Sequence, residues 1–433
     1  MPLPAPGVEA AEQSGDQLSP CLGVPGTMDA MTDVRILRAE TDLLRAYDIF
    51  RTAMVGLPHL GDPTVADIVE LFEPGRTLGA FVDGTMVGTA DSTGGELTLP
   101  GDARVAHAAV THIGVVPTHT RRGILRALVT AQLRAARDGG DVVATLRASE
   151  ATIYERFGYG IAGSSASWEL STRRARLRTG SDRPVRLVAV DPALCARIHE
   201  AAASDRPGAI DRSPQWWAFG RRRQQRSAAH PGYLAVCGSP GSETGYVRYR
   251  PGNPDTWFGA DQRTVVVEDL VAADADTTVA LLQFLLTLDL VDRFVFTALP
   301  IDSPLPWLLT DHRAARILSV QDETWLRVLD VPRALAARTY RGAGSVVLDV
   351  EDALLPENSG RYRIGDDTGE VARTDDEAQI ELDVSALGSV LLGGVRWHQL
   401  ADSGRVRVHD PAALGVAEDL FWWPRAAFAG FTF

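Results

Sequence analysis

The chain is expected to fold as an α+β protein built largely from a repeated, strand-rich unit, and three observations carry that expectation. Strand-length apolar runs alternate with helical spacings from Asp33 onward. The series over residues 33–170 recurs between Pro184 and Ala298 with slight residue identity. From about Gln321 the pattern changes to a different α+β arrangement. At 433 residues the chain is too long for one ordinary core. Four segments are expected: 1–32, 33–182, 183–320 and 321–433.

Residues 1–32 are rich in Pro, Gly and Ser and have no apolar period, which predicts a disordered extension. Val34–Leu37 then reads as a short strand and Thr41–Met54 as a helix. Thr77–Val82 and Met86–Ser92 are strands joined by Asp83-Gly84, a two-residue hairpin signal. Val105–Val116 is a long strand ended by Pro117. In the helix that follows, Leu125, Leu128, Val129, Leu133 and Ala136 form an apolar stripe, and Gly139-Gly140 stops it. Asp141–Leu146 is a buried strand, Ser149 an N-cap for a short helix through Tyr154, and Ala162–Leu170 a last strand.

The second series has strands at Val185–Val190, Tyr233–Cys237, Thr244–Arg250, Thr264–Val271 and Phe294–Leu299. Its helices follow Pro192 and cover Ser213–Arg223 and Thr277–Leu290. The third series opens with a strand at Thr324–Leu329 and a helix at Val331–Arg338, then strands at Ser345–Val350 and Arg361–Ile364. The apolar chain end, Phe428–Phe433, is expected to dock as a buried strand.

Acids outnumber Lys and Arg by 56 to 43, for a formal charge of -13. Nucleic acid is a poor partner for such a chain, because phosphates demand a basic face. A negative field does concentrate small cations, though the same charge also serves solubility. The three cysteines have no paired spacing, and the nine histidines show no metal-ligand spacing near acids, so neither a disulfide framework nor a metal is expected. No apolar run reaches 18 residues and no basic segment leads an apolar one at the N-terminus, so no membrane span or secretion signal is expected, and the cytoplasm is the default compartment.

Two stretches carry chemistry. In Ile113-Gly-Val-Val-Pro-Thr-His-Thr-Arg-Arg-Gly-Ile-Leu-Arg126 a strand ends, a turn holds Arg121, Arg122 and Gly123, and a helix begins. Free N–H groups at a helix start bind phosphate, glycine allows close approach, and arginines add charge-assisted bonds. An ordinary basic helix start would read the same way. The other stretch is Ala148-Ser-Glu-Ala-Thr-Ile-Tyr-Glu-Arg-Phe-Gly-Tyr-Gly160, where Tyr154 and Tyr159 are either packing residues or proton donors. In the second series the corresponding turn, Val271-Ala-Ala-Asp-Ala-Asp-Thr-Thr278, has neither Gly nor Arg, so one cofactor per chain is expected.

Taken together, these stretches resemble the Eis (enhanced intracellular survival) family of GNAT acetyltransferases. Leu308-Leu-Thr-Asp-x-Arg, the Trp325–Arg338 stretch and the aromatic chain end extend the resemblance over roughly residues 32–433. It implies two fused GNAT-like domains followed by a sterol-carrier-protein-like α+β domain, a homohexamer, acetyl-coenzyme A as co-substrate and small cationic amines, aminoglycoside-like or polyamine- and lysine-like, as acceptors. By the match, the backbone of Ile113, Gly114 and Val115 would hold the acetyl and pantetheine groups. Arg121, Arg122, Gly123, Ile124, Leu125 and Arg126 would hold the pyrophosphate, and Ser149 and Glu150 would line the cofactor site. Tyr154 would be the general acid and the α-carboxylate of Phe433 the general base. Thr432, where family members often carry an acid, and the acid-poor stretch 52–61 point away from strong aminoglycoside binding. The rival reading is a lipid- or ligand-binding protein that uses the C-terminal domain, with the GNAT-like halves as scaffold.

Overall fold

The computed structural model describes residues 32–55, 57, 64–202, 205–226, 232–365 and 371–431, and only the backbone over 223–226. Of the expected N-terminal extension (residues 1–32), residues 1–31 lie outside the described residues, as do the last two residues, Thr432 and Phe433.

The first half contains β1 (Asp33–Ile36), α1 (Glu40–Ala53), α2 (Val65–Leu71), β2 (Leu78–Val82), β3 (Thr85–Thr98), β4 (Arg104–Val115), α3 (Ile124–Asp138), β5 (Val143–Leu146) and β6 (Gly160–Ser171). The second half contains β7 (Val185–Val188), α4 (Pro192–Ala201), α5 (Pro214–Arg226), β8 (Tyr233–Cys237), β9 (Gly245–Pro251), β10 (Thr264–Ala272), α6 (Ala275–Leu286), β11 (Arg293–Pro300) and β12 (Ala315–Val328). All these strands form one sheet of 12 in the order β1-β2-β3-β4-β5-β12-β6-β11-β10-β9-β8-β7.

That order shows the duplication expected from the sequence. Each half has one parallel pair, β4 with β5 across α3 and β10 with β11 across α6. Each half also gives its last strand to the other. β12 pairs with β5 from Trp325 opposite Leu146 to Val328 opposite Val143, while β6 pairs with β11 from Ser171 opposite Arg293. β6 and β12 then pair with each other and close the seam. β12 begins nine residues before the expected Thr324, so the expected boundary between 320 and 321 falls inside a strand. Its first part is mostly exposed and has no apolar alternation to reveal it.

The C-terminal part adds α7 (Val331–Ala337), β13 (Val346–Glu351), β14 (Gly360–Ile364), β15 (Val371–Arg373), β16 (Ile380–Asp383), α8 (Val384–Leu391), α9 (Trp397–Asp402), β17 (Val406–Val408) and α10 (Pro411–Phe421). Its five strands form a second sheet, β15-β14-β13-β16-β17. The buried helix α8 seats this part on the large sheet. A Cβ on Gly160 would lie 1.9 Å from Ser385 O, and one on Gly388 would lie 2.5 Å from Leu326 O, so glycine at both positions lets backbone meet backbone.

Candidate active site

β4 and β5 pair only where His107–Ala109 face Val143–Thr145. β4 continues to Val115 while β5 stops at Leu146, so the strands part from Val110 onward. Gly114 and Val115 pair with β3 on their other edge. Ile113, Gly114 and Val115 therefore present an edge without a strand partner to the gap. A side chain at Gly114 would collide with α1, since its Cβ would lie 2.9 Å from Ala53 Cβ and 3.2 Å from Phe50 Cα.

The turn after β4 leads into α3 through two residues in the left-handed region, Arg121 at φ 61° and Gly123 at φ 80°. Gly123 is the N-cap and supplies no side chain to cap α3; an added Cβ there would meet nothing within 4 Å. Ala127 N donates to Gly123 O, but the amides of residues 121–126 have no partner among the described residues. Arg121, Arg122 and Arg126 are exposed and form no ion pair among the described residues. Open amides, the positive end of a helix and three cations at the mouth of a gap fit a pyrophosphate. Ile124 contributes only its backbone, because its side chain is core.

The segment after β5 departs from its expectation. No helix forms over Ser149–Tyr154; turns lead to a short 3-10 helix at Glu155–Phe157. Tertiary bonds hold the loop instead. Arg327 Nε donates to Phe157 O, and the same guanidinium is paired with the buried Asp352 at 2.7 and 2.8 Å. Ser149 and Glu150 are exposed, whereas Tyr154 is buried. Burial raises the Tyr154 pKa above the ordinary tyrosine value, against the opposing pull of a hydrogen bond with Ser149. The phenol therefore holds its proton at neutral pH. Tyr159, edge-on to it at 6.0 Å, is fully buried.

The chain end docks, though not as the expected strand. Charged side chains bind its backbone from both halves. Phe428 N donates to Pro207 O at 2.9 Å, and Glu323 accepts from the amides of Ala429 and Gly430 at 3.1 Å each. Arg212 donates to Gly430 O at 3.3 Å and Arg147 to Phe431 O at 3.0 Å. Arg147 directly follows β5, so the tail arrives where the gap opens. Phe431 also walls a cavity of about 1500 Å³ bounded by Trp216 of α5, the ends of β10 and β11, and Phe72.

One group was not singled out by reading the sequence. A β-bulge places Thr111 opposite Asp91 and Gly114 opposite Thr89, leaving His112 at φ 48°. His112 Nδ1 lies 3.1 Å from Asp91 Oδ2. Asp91 is fully buried and also accepts from Thr77 Oγ1 at 2.9 Å. The two residues are 21 apart and join only across the bulge, so no local motif announces them. His107, by contrast, is pushed down to about 3 by burial and by the nearby Arg147 and Arg76, and is neutral.

Family models agree with this architecture. A GNAT acetyltransferase domain matches residues 33–162, a second GNAT acetyltransferase domain matches 208–328, and a sterol carrier protein domain matches 331–430. The N-acetyltransferase Eis of Mycobacterium tuberculosis is 35% identical over 360 residues, which span 78% of this chain and 83% of that protein. The chain belongs to the Eis family of GNAT N-acetyltransferases. An uncharacterized N-acetyltransferase of Streptomyces coelicolor is 38% identical over 375 residues, 82% of this chain and 90% of that one. The crystal structure of Eis1 from Mycobacterium abscessus superposes with a TM-score of 0.86 at 46% identity, covering 93% of this chain and 100% of that one. Like these relatives, this Eis-family chain is an acetyltransferase. Among its described residues no helix is long and apolar enough to cross a membrane, and no group of three or more His, Cys, Asp or Glu could hold a metal.

Proposed function

We propose that the enzyme moves acetyl from acetyl-coenzyme A to the amine of a small cationic acceptor by direct transfer. The observation that carries this reading is the uncapped start of α3, with open amides and three arginines at the mouth of the β4–β5 gap. Arg121 to Arg126 bind the pyrophosphate, and the backbone of Ile113 to Val115 aligns the pantetheine and acetyl groups. Ser149 and Glu150 line the same site. Backbone N–H groups at the gap polarise the acetyl carbonyl. The acceptor enters through the cavity beside Trp216 and Phe431. Tyr154, protonated in its buried loop, supplies the proton to the departing thiolate. The α-carboxylate of Phe433 takes a proton from the amine.

The lipid-carrier reading has less support. The large cavity is lined by residues 428–431 of the C-terminal part and by no others from it, while Trp397, Tyr362 and Phe421 fill that domain's core. A homohexamer in the cytoplasm remains part of the proposal. The exposed Trp307, Ile317, Leu318 and Val320 form apolar surface of the kind that subunit contacts cover. Release of free thiol from acetyl-coenzyme A, screened over a panel of amines, tests the activity. C-terminal amidation by semisynthesis tests the base. With acetyl-coenzyme A still bound, kcat should fall by about 10²–10⁴-fold. Wild-type turnover by the amidated protein would remove Phe433 from the mechanism.

A further inference from the structure

An amine acceptor reaches the enzyme as an ammonium and must lose two protons to become an amide. One leaves before attack, to free the nitrogen lone pair. The other leaves as the N–C bond forms. A single carboxylate accounts for only one of them. It is also a weak base toward an alkylammonium of pKa about 10.

We infer that His112, held by Asp91, is the acceptor of the first proton. This rests on the acetyl-transfer reading above. The geometry is that of a base with its orienting partner. Nδ1 sits 3.1 Å from a carboxylate oxygen of the fully buried Asp91, so the Nδ1 proton is donated there. That leaves the Nε2 lone pair available, and Nε2 has no hydrogen bond among the described residues. Asp91 cannot turn away, because Thr77 Oγ1 holds its other oxygen. The ring stands on the strand that carries Ile113 to Val115, immediately before them. The bulge puts His112 in a left-handed conformation that a side chain other than glycine rarely adopts.

The surroundings suit a site that binds and discharges a cation. Phe50 and Tyr47 of α1 stand edge-on to the imidazole, with ring centres 4.8 and 6.3 Å away, and Phe72 lies at 5.4 Å. Phe72 also lines the large cavity, so the imidazole and the space proposed for the acceptor share a neighbouring ring. Aromatic faces attract ammonium and imidazolium alike. The groups facing His112 are Asp91 from β3, the Tyr47 phenol and Phe50 from α1, and Phe72 after α2; Arg51 lies over the Tyr47 ring at 5.9 Å. Asp91 is the carboxylate among them and fixes the ring's orientation through Nδ1.

The step balances. The N–H bond of the ammonium breaks, its proton goes to Nε2, and its electron pair stays on nitrogen. That pair forms the N–C bond to the acetyl carbon, and the second proton passes to the chain-end carboxylate. The C–S bond breaks, and Tyr154 protonates the sulfur. The proton on the chain-end carboxyl then restores Tyr154, and His112 returns its proton to water, its side chain being 15% exposed.

The test uses amines of different basicity. His112→Gln and Asp91→Asn are compared with wild type on a lysine-type alkylamine, pKa about 10.4, and on a peptide α-amino group, pKa about 8. On the alkylamine at pH 7, His112→Gln should lower kcat/KM by about 10²–10³-fold, the usual share of a general base. On the α-amino group at pH 9, already mostly neutral, the loss should be less than about threefold, because no ammonium proton needs removal. Asp91→Asn keeps the ring but removes the carboxylate that fixes its tautomer and orientation. It should give a smaller loss of the same selectivity. The KM for acetyl-coenzyme A should not change in either variant. An equal loss on both amines would mean that His112 is structural, and no loss on the alkylamine would mean that it is unused; either result overturns the inference. A wild-type protein that acetylated neither amine would instead overturn the acetyl-transfer reading itself.

Discussion

In the first half of the sheet the turn from strand to helix leaves its amides open and surrounds them with arginines; in the second half the corresponding turn is already satisfied. There Asp274 caps α6, accepting from Thr277 N at 2.8 Å, and Arg183 bridges Asp274 at 3.0 Å and Asp276 at 2.7 Å. A carboxylate of the protein thus occupies the place where a bound phosphate would sit on α3. The gaps beyond the parallel pairs differ in the same way. β4 carries His112 and Asp91 faces it, whereas the β10 bulge carries Asp269, which binds Arg212 at 2.5 and 2.9 Å and Tyr246 at 2.6 Å. The loop after β5 buries Tyr154, and the loop after β11 exposes Trp307, which has no acidic proton to give. One plan, used twice, yields an open site in one copy and a closed structural cluster in the other.

The closed cluster also holds the chain end. Arg212 bonds to Gly430 O and lies beneath Trp216 and Phe431, 4.8 and 5.0 Å from their ring centres. The second half thereby holds the tail that ends at Phe433. Arg212→Ala should have the largest effect on the comparison. It leaves the buried Asp269 without its cation, which costs about 3–5 kcal/mol of stability, and it should depress kcat more than acetyl-coenzyme A binding. A thermal melt together with kinetics checks both, and an unchanged melting temperature would show that the cluster holds nothing. The pH sense follows from Asp269. Burial works to raise its pKa, but Arg212 outweighs burial and holds it below the ordinary carboxylate value. The pair's contribution is therefore complete above the unfolded value of about 3.9 and lost as pH falls through the folded one. Stability from this pair should be flat from pH 5 to 7.

The contrast between the turns was partly legible in the sequence. Gly123 and its arginines are local, as are Asp274 and Asp276, and the chemistry of a helix start depends on few neighbours. The α+β class and the duplication were legible for the same reason, because each strand–helix–strand crossover is contiguous. Three features were not. The exchange of β6 and β12 joins strands from different halves, and the first part of β12 lacks alternation. The His112–Asp91 pair depends on a bulge that sequence spacing does not mark. The tail is held by Glu323, Arg147 and Arg212 acting on its backbone, which leaves no signature in the tail's own side chains beyond their apolar character.

A sharper measurement concerns cofactor number. Titration calorimetry with acetyl-coenzyme A should give one site per chain, because of the two corresponding turns the one before α3 has open amides while Asp274 caps α6. Arg122→Glu should raise the KM for acetyl-coenzyme A by about 10–100-fold, the worth of one to two charge-assisted bonds plus a reversed charge. Two equivalent sites per chain would mean that the Asp274 cap opens for phosphate and that the two turns are not different in kind.

The smallest effect should come from the cap itself. Asp274→Ala removes the side chain that accepts from Thr277 N and frees Arg183 from one of its two carboxylates. Loss of an N-cap of this type costs about 1 kcal/mol, and the exposed ion pair adds little to that. The Asp274 pKa is lowered chiefly by the Thr277 N–H bond. Its contribution is accordingly complete above the unfolded carboxylate value of about 3.9 and lost as pH falls through the folded value. The variant and the wild type should thus differ in melting temperature at pH 7 and converge toward pH 3. Turnover at pH 7 should stay at the wild-type level, since the proposed cofactor site lies on α3. The informative failure is a variant that gains a second acetyl-coenzyme A site once the carboxylate is gone. That result would show that the second half is blocked by one side chain rather than lacking the arginines and glycine that fit the first half to a phosphate.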